Sequence, residues 1–250
     1  MINSKKNIVL IVIVALTLLS FSFIFACNDD KKDCQIPIPE VASNDLAIVP
    51  VGRDEEWWTN RHNDRINNKV IKDQKIIFIG NSITHWWEEE ASWTTLNQQY
   101  NYKITNLGYM GDQTQNVIWR LENGEFPVGI NPEYVVIMIG TNNTVSEPES
   151  IAAGIGKIAK IINKNSPSSR IILVSLLPRG SGNEDEDTIR NNAVNEIIKK
   201  YDGCLGVTYL DLAQYYINNN LLKYELFTDM LHLSPAGYDI WKDKIMEIIK

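Results

Sequence analysis

Five apolar runs without polar alternation punctuate the chain: Lys75 to Gly80, Lys103 to Leu107, Tyr134 to Gly140, Arg170 to Leu176 and Gly206 to Leu210. Runs rich in Ile and Val, apolar at consecutive positions, suit parallel strands covered on both faces, whereas a strand with one wet face alternates. Between them the period changes to that of a helix. Ile151, Ile155, Ile158, Ile161 and Ile162 mark one face of a helix from about Glu147 to Asn165; further helices are expected over Asp187 to Tyr201 and Pro235 to Ile249. Five βα units in succession predict a doubly wound α/β sandwich around a five-stranded parallel sheet. In such sheets ligand-handling groups gather beyond the carboxyl ends of the strands. The polar segments expected there are Gly80-Asn81-Ser82, Gly108-Tyr109-Met110-Gly111-Asp112 and Gly140-Thr141-Asn142-Asn143, all on one rim.

The amino terminus breaks the pattern. Lys5 and Lys6 precede an almost wholly apolar stretch at residues 8–19, and Ile24-Phe25-Ala26-Cys27 follows, so residues 1–26 read as an export signal. Ala26-Cys27 resembles the lipobox of bacterial lipoproteins, which implies cleavage before Cys27, lipid attachment to Cys27 and a membrane anchor at the bacterial cell envelope. An ordinary signal peptide and a retained anchor are the other readings. Residues 27–54 carry charged residues and then Pro37, Pro39 and Pro50 without a hydrophobic period, as a solvated linker does. The globular domain is expected over residues 55–250.

The full chain has a formal charge of −7, and loss of residues 1–26, with two lysines and no acids, makes it −9. An acidic chain argues against nucleic acid as a partner. Cys34 falls in the linker and shares no metal-type spacing with Cys204, so these two are expected as unpaired thiols.

A hydroxyl is a poor nucleophile near neutral pH unless an imidazole takes its proton and a carboxylate fixes the tautomer. With only three histidines in the chain, the search for a base is short. His232 stands in Thr228-Asp229-Met230-Leu231-His232, where Asp229 can reach back to Nδ1 and leave Nε2 facing outward. Ser82, directly after the first strand, is the matching nucleophile, although serine at a βα turn is also an ordinary helix cap. His85, flanked by Trp86 and Trp87, is a candidate for the substrate mouth. His62 reads as a structural contact in an amino-terminal helix. Oxyanion donors are expected from the Ser82 and Gly111 N–H groups and the Asn142 side chain. The histidines lack short ligand spacing, so no metal or other cofactor is expected.

At these residues the chain resembles the SGNH (GDSL-type) hydrolases, whose four namesake positions correspond to Ser82, Gly111, Asn142 and His232. Within that family it closely resembles the brain-type platelet-activating factor acetylhydrolase catalytic subunits and their bacterial relatives. The shared segments are Trp58, Arg61-His62-Asn63, Trp119-Arg120-Leu121-Glu122-Asn123-Gly124-Glu125, Gly140-Thr141-Asn142-Asn143 and Leu176-Leu177-Pro178-Arg179-Gly180. The resemblance implies a flavodoxin-like three-layer fold, hydrolysis of short acyl esters, acetyl above all, and a homodimer as one oligomeric state to test. Asn81 stands where the family usually has aspartate, exchanging a carboxylate for a neutral amide. Asn81, His85, Trp86, Asn143 and Arg179 are the candidate substrate contacts.

An O-acetylated carbohydrate is the first substrate reading, since Trp86, Trp87 and Trp93 are placed near Ser82, where indoles can stack on sugars. Core packing of these indoles is the competing expectation. A lipid acetylhydrolase or lysophospholipase is the alternative. A non-catalytic glycan-binding surface lipoprotein is the reading from another class.

Overall fold

The computed structural model describes residues 34–101 and 103–249; the export signal and Cys27 lie outside the described residues. Five parallel strands, β1 (Ile76–Gly80), β2 (Ile104–Gly108), β3 (Tyr134–Met138), β4 (Arg170–Val174) and β5 (Val207–Leu210), form a sheet of order β2-β1-β3-β4-β5. The chain winds one way from β1 to β2 and the other way from β3 onward, so the switch point lies between β1 and β3.

Side chains alternate across each strand and divide the interior into two cores. Ile77, Ile79, Val135, Ile137, Ile171 and Leu173 meet α4 (Thr114–Arg120), α5 (Pro148–Asn165) and α6 (Glu186–Ile198). Ile76, Phe78, Val136, Met138, Ile172 and Val174 meet α2 (Ser82–Trp86), α3 (Ala91–Gln99) and α7 (Pro235–Ile248). This double burial is why the strands read as unbroken apolar runs. The first helix, α1 (Glu56–Asn67), lies along edge strand β2, with Arg61 Nε donating to Gly108 O at 3.1 Å. A short antiparallel pair, β6 (Ile217–Asn218) and β7 (Leu221–Leu222), follows β5 and was not foreseen. Among the described residues no helix is long and apolar enough to cross a membrane.

Two expectations are corrected. Residues 34–54 do not form a solvated linker but a strap along the domain, with Ile36 and Ala47 buried. Thr114 Oγ1 donates to Ala47 O, Lys157 Nζ to Ile48 O and Asn116 Nδ2 to Val51 O. The strap approaches α5 so closely that an ideal Cβ on Gly154 would lie 2.6 Å from Ala47 O, and one on Gly156 2.6 Å from Ile38. The second correction is that Cys34 and Cys204 are joined in a disulfide across 170 residues. Packing of Ile38 on Gly156 brings the strap past Tyr201 to the turn before β5, where Cys204 stands.

Candidate active site

Register sets the rim. Gly80 pairs with Gly108 on one side and Met138 on the other, so the three strands end at one level. Ser82, Gly111 and Asn142 each follow one of these ends within a few residues.

Ser82 opens α2, but Asn81 is its cap: Asn81 Oδ1 accepts the Ile83 N–H at 3.0 Å. The serine hydroxyl is thereby free, and Ser82 Oγ lies 2.9 Å from His232 Nε2. His232 is held by its own loop. Asp229 Oδ1 accepts the N–H groups of Leu231 and His232 at 3.1 and 2.7 Å, and Oδ2 lies 2.7 Å from His232 Nδ1. Thr228 N–H donates to His232 O at 2.8 Å and closes the turn. Met230, at φ +64°, carries the left-handed residue of this loop, and its carbonyl accepts the Gly180 N–H. Slight desolvation would raise the Asp229 carboxyl, but the His232 ring and the two backbone N–H groups hold it below the ordinary carboxylate range. With Asp229 ionised and bound to Nδ1, Nε2 is the nitrogen left to accept a proton from the serine.

Asn142 and the loop after β2 are laced together: Asn142 Nδ2 donates to Asp112 O at 3.0 Å, and Gln113 Nε2 to Asn142 O at 2.7 Å. One Asn142 N–H therefore remains for a ligand. Among the described residues neither Ser82 N–H nor Gly111 N–H has an acceptor.

The candidate substrate contacts separate sharply. Trp86 is the exposed one, its ring centroid 4.0 Å from that of His232. Trp87 and Trp93 instead belong to the core, where Trp87 stacks on Trp241 at 4.4 Å and Phe78 meets both edge-on, so neither can reach a sugar. Asn143 is buried, its Oδ1 accepting the Thr114 N–H and its Nδ2 donating to Thr114 Oγ1 and Gln115 Oε1. Asn81 is buried as a cap. Arg179 donates to Thr141 O at 3.3 Å and pairs with Asp187, which makes it a brace behind the β3 loop.

His85 turns toward α1 and stacks on Trp57 at 6.2 Å. Burial, with Arg61, Arg65 and Arg120 nearby, lowers its pKa from 6.5 to about 4. The unfolded chain thus takes up a proton that the folded chain refuses, and stability falls as pH drops from about 6.5 to about 4. In His85→Gln the melting temperature is expected to fall less steeply over that range, a difference that parallel thermal melts at pH 7 and pH 4.5 will read.

Sequence reasoning gave no task to a buried polar cluster behind the loop. Asp112, fully buried, accepts Trp58 Nε1 at 2.7 Å, Arg120 Nε at 2.9 Å and Arg53 Nη1 at 3.2 Å. Arg120 also bonds Glu125, which accepts the Tyr109 hydroxyl. His62 stacks on Trp58 at 5.7 Å with Nδ1 3.7 Å from Glu125, the structural role expected of it. The signal was Arg120 and Glu125, charges placed next to apolar Trp119 and Leu121 and to Phe126. Among the described residues no group of three or more His, Cys, Asp or Glu side chains is placed to hold a metal.

The model of the GDSL-like lipase/acylhydrolase family matches residues 78–240. The platelet-activating factor acetylhydrolase IB subunit alpha2 of Rattus norvegicus is 31% identical over 204 residues, covering 78% of this chain and 86% of that protein. Two solved structures share the fold: an acetyl xylan esterase, at TM-score 0.59 and 21% identity, covers 70% of this chain and 99% of its own. An acetylxylan esterase from Geobacillus stearothermophilus gives TM-score 0.56 and 18% identity, covering 70% and 94%.

Proposed function

The chain belongs to the GDSL-like lipase/acylhydrolase family, and on that premise we propose that it is a serine esterase releasing acetyl and other short acyl groups from O-acylated carbohydrate. The observation that carries the reading is the unbroken chain from Ser82 Oγ through His232, at 2.9 Å, to Asp229, at 2.7 Å, at the switch point of the sheet. Ser82 Oγ attacks the acyl carbonyl while His232 Nε2 takes its proton, and Asp229 steadies the imidazolium. The tetrahedral oxygen accepts from Ser82 N–H, Gly111 N–H and Asn142 Nδ2. His232 returns the proton to the departing alcohol, and water then deacylates Ser82 with His232 again as base.

The substrate class rests on Trp86. An exposed indole against the catalytic imidazole offers a flat platform to the alcohol side of the ester, as pyranose faces require. Hydrolysis of a lipid acetyl ester or lysophospholipid is the second reading, favoured by the 31% identity to the acetylhydrolase subunit. Acetate release from acetylated xylan, acetylated sialic acid and platelet-activating factor tests both. Release from the glycans that Ser82→Ala abolishes supports the first reading, and release from the lipid alone overturns it.

Asn142→Ala is expected to lower kcat about 10²- to 10³-fold, the effect of losing one oxyanion donor, with KM little changed. Steady-state kinetics on p-nitrophenyl acetate measures it, and an unchanged kcat would remove Asn142 from the oxyanion hole.

A further inference from the structure

Arg53, on the strap, touches the one loop that carries Gly111. Its Nη1 donates to Met110 O at 2.6 Å as well as to Asp112, while Glu55 holds the guanidinium from the other side, its Oε2 3.2 Å from Nε. An ideal Cβ on Gly111 would stand 3.1 Å from Nη1, so the guanidinium lies directly against this residue.

Tyr109-Met110-Gly111-Asp112 is a β-turn closed by Asp112 N–H to Tyr109 O at 3.2 Å. Gly111 in third place has φ +73°, the signature of a type II turn. Types I and II differ mainly by a flip of the central peptide, and glycine in third place permits both. The closing bond is compatible with either. What the flip changes is the direction of the Met110 carbonyl and, because the peptide is planar and trans, the opposite direction of the Gly111 N–H. These two groups move as one plate.

We infer that Arg53 is a positioning residue for the oxyanion hole: by holding the Met110 carbonyl it selects the type II turn and aims the Gly111 N–H at the developing oxyanion. A charge-assisted bond to that carbonyl also polarises the shared amide and makes its N–H a better donor. The inference rests on the serine-esterase reading and assigns to the strap a share in it.

The test compares Arg53→Met and Arg53→Lys with Lys157→Met, which removes a different strap contact, the bond to Ile48 O. Arg53→Met is expected to lose about 10- to 100-fold in kcat with KM changed less than about threefold, and Arg53→Lys to recover part of it. Lys157→Met keeps the wild-type kcat. Affinity for a trifluoromethyl ketone, whose adduct carries the oxyanion, should fall in step with kcat/KM. Equal losses in Arg53→Met and Lys157→Met would make the effect one of strap packing and overturn the inference. So would a wild-type kcat in Arg53→Met. Labelling of Ser82 by a fluorophosphonate separates the two levels: a wild-type protein that neither labels nor cleaves the ester ends the esterase reading itself, whereas an active wild type with an active Arg53→Met ends only the role of Arg53.

Discussion

Ser82→Ala is expected to lower kcat for ester hydrolysis on the order of 10⁴-fold or more, while its melting temperature stays within about 2 °C of the wild type. Stability is spared because the Ser82 hydroxyl has one side-chain partner, His232 Nε2, and because the cap of α2 belongs to Asn81. Activity is lost because, among the described residues, no other hydroxyl bonds that nitrogen. Asp229→Asn is expected to cost at least about tenfold less than Ser82→Ala, because the Asp229 side chain is 51% exposed and solvent screening weakens the hold of its charge on the imidazole. Both numbers come from initial rates on p-nitrophenyl acetate with active-site titration of the wild type. A Ser82→Ala protein that retained a tenth of the wild-type rate would refute the assignment.

Arg120→Met should produce the largest loss of stability of any single substitution considered, about 3 to 5 kcal/mol or more. Arg120 is fully buried, bridges Asp112 and Glu125, donates to Leu107 O at 3.2 Å and lies 3.8 Å above the Tyr109 ring. Without it both buried carboxylates lose the guanidinium they share, Asp112 keeping Trp58 Nε1 and Arg53, and Glu125 keeping the Tyr109 hydroxyl. Removing one partner of a buried ion network costs far more than the network itself contributes, since the stranded charges have lost their water. Glu125→Gln added to Arg120→Met should therefore restore part of the loss, a non-additivity that a double-mutant cycle in urea measures. An Arg120→Met protein unfolding within about 1 kcal/mol of the wild type would show that the cluster carries little of the fold's stability.

Where burial is two-sided and local, the sequence was an accurate guide. Each strand of the five-stranded sheet was expected within about two residues of its observed ends, because Ile-rich runs with no wet face admit few other conformations. The Asp229–His232 contact was equally legible, since an acid three residues before a histidine needs only one turn to reach it. The strap was not legible. Three of its contacts are made by the carbonyls of Ala47, Ile48 and Val51, groups that every residue type supplies, and the partners of those carbonyls are more than 60 residues away. The Cys34–Cys204 pairing has the same character: a separation of 170 residues leaves no local trace. Asn142 and Asn143 are adjacent and identical in type, yet one faces the rim and the other braces α4; only the turn after β3 distinguishes them. The short helix α2 held too few residues for a period to separate exposed Trp86 from buried Trp87.

The disulfide has a directional consequence. Cys204 precedes β5 and so sits at the amino ends of the strands, whereas Ser82 lies beyond the carboxyl ends, about 17 Å of strand away. The strap enters at the first pole and finishes at the second, against Gly111. An enzyme held through the residues before Cys34 would be gripped by its base, with its reactive serine turned outward.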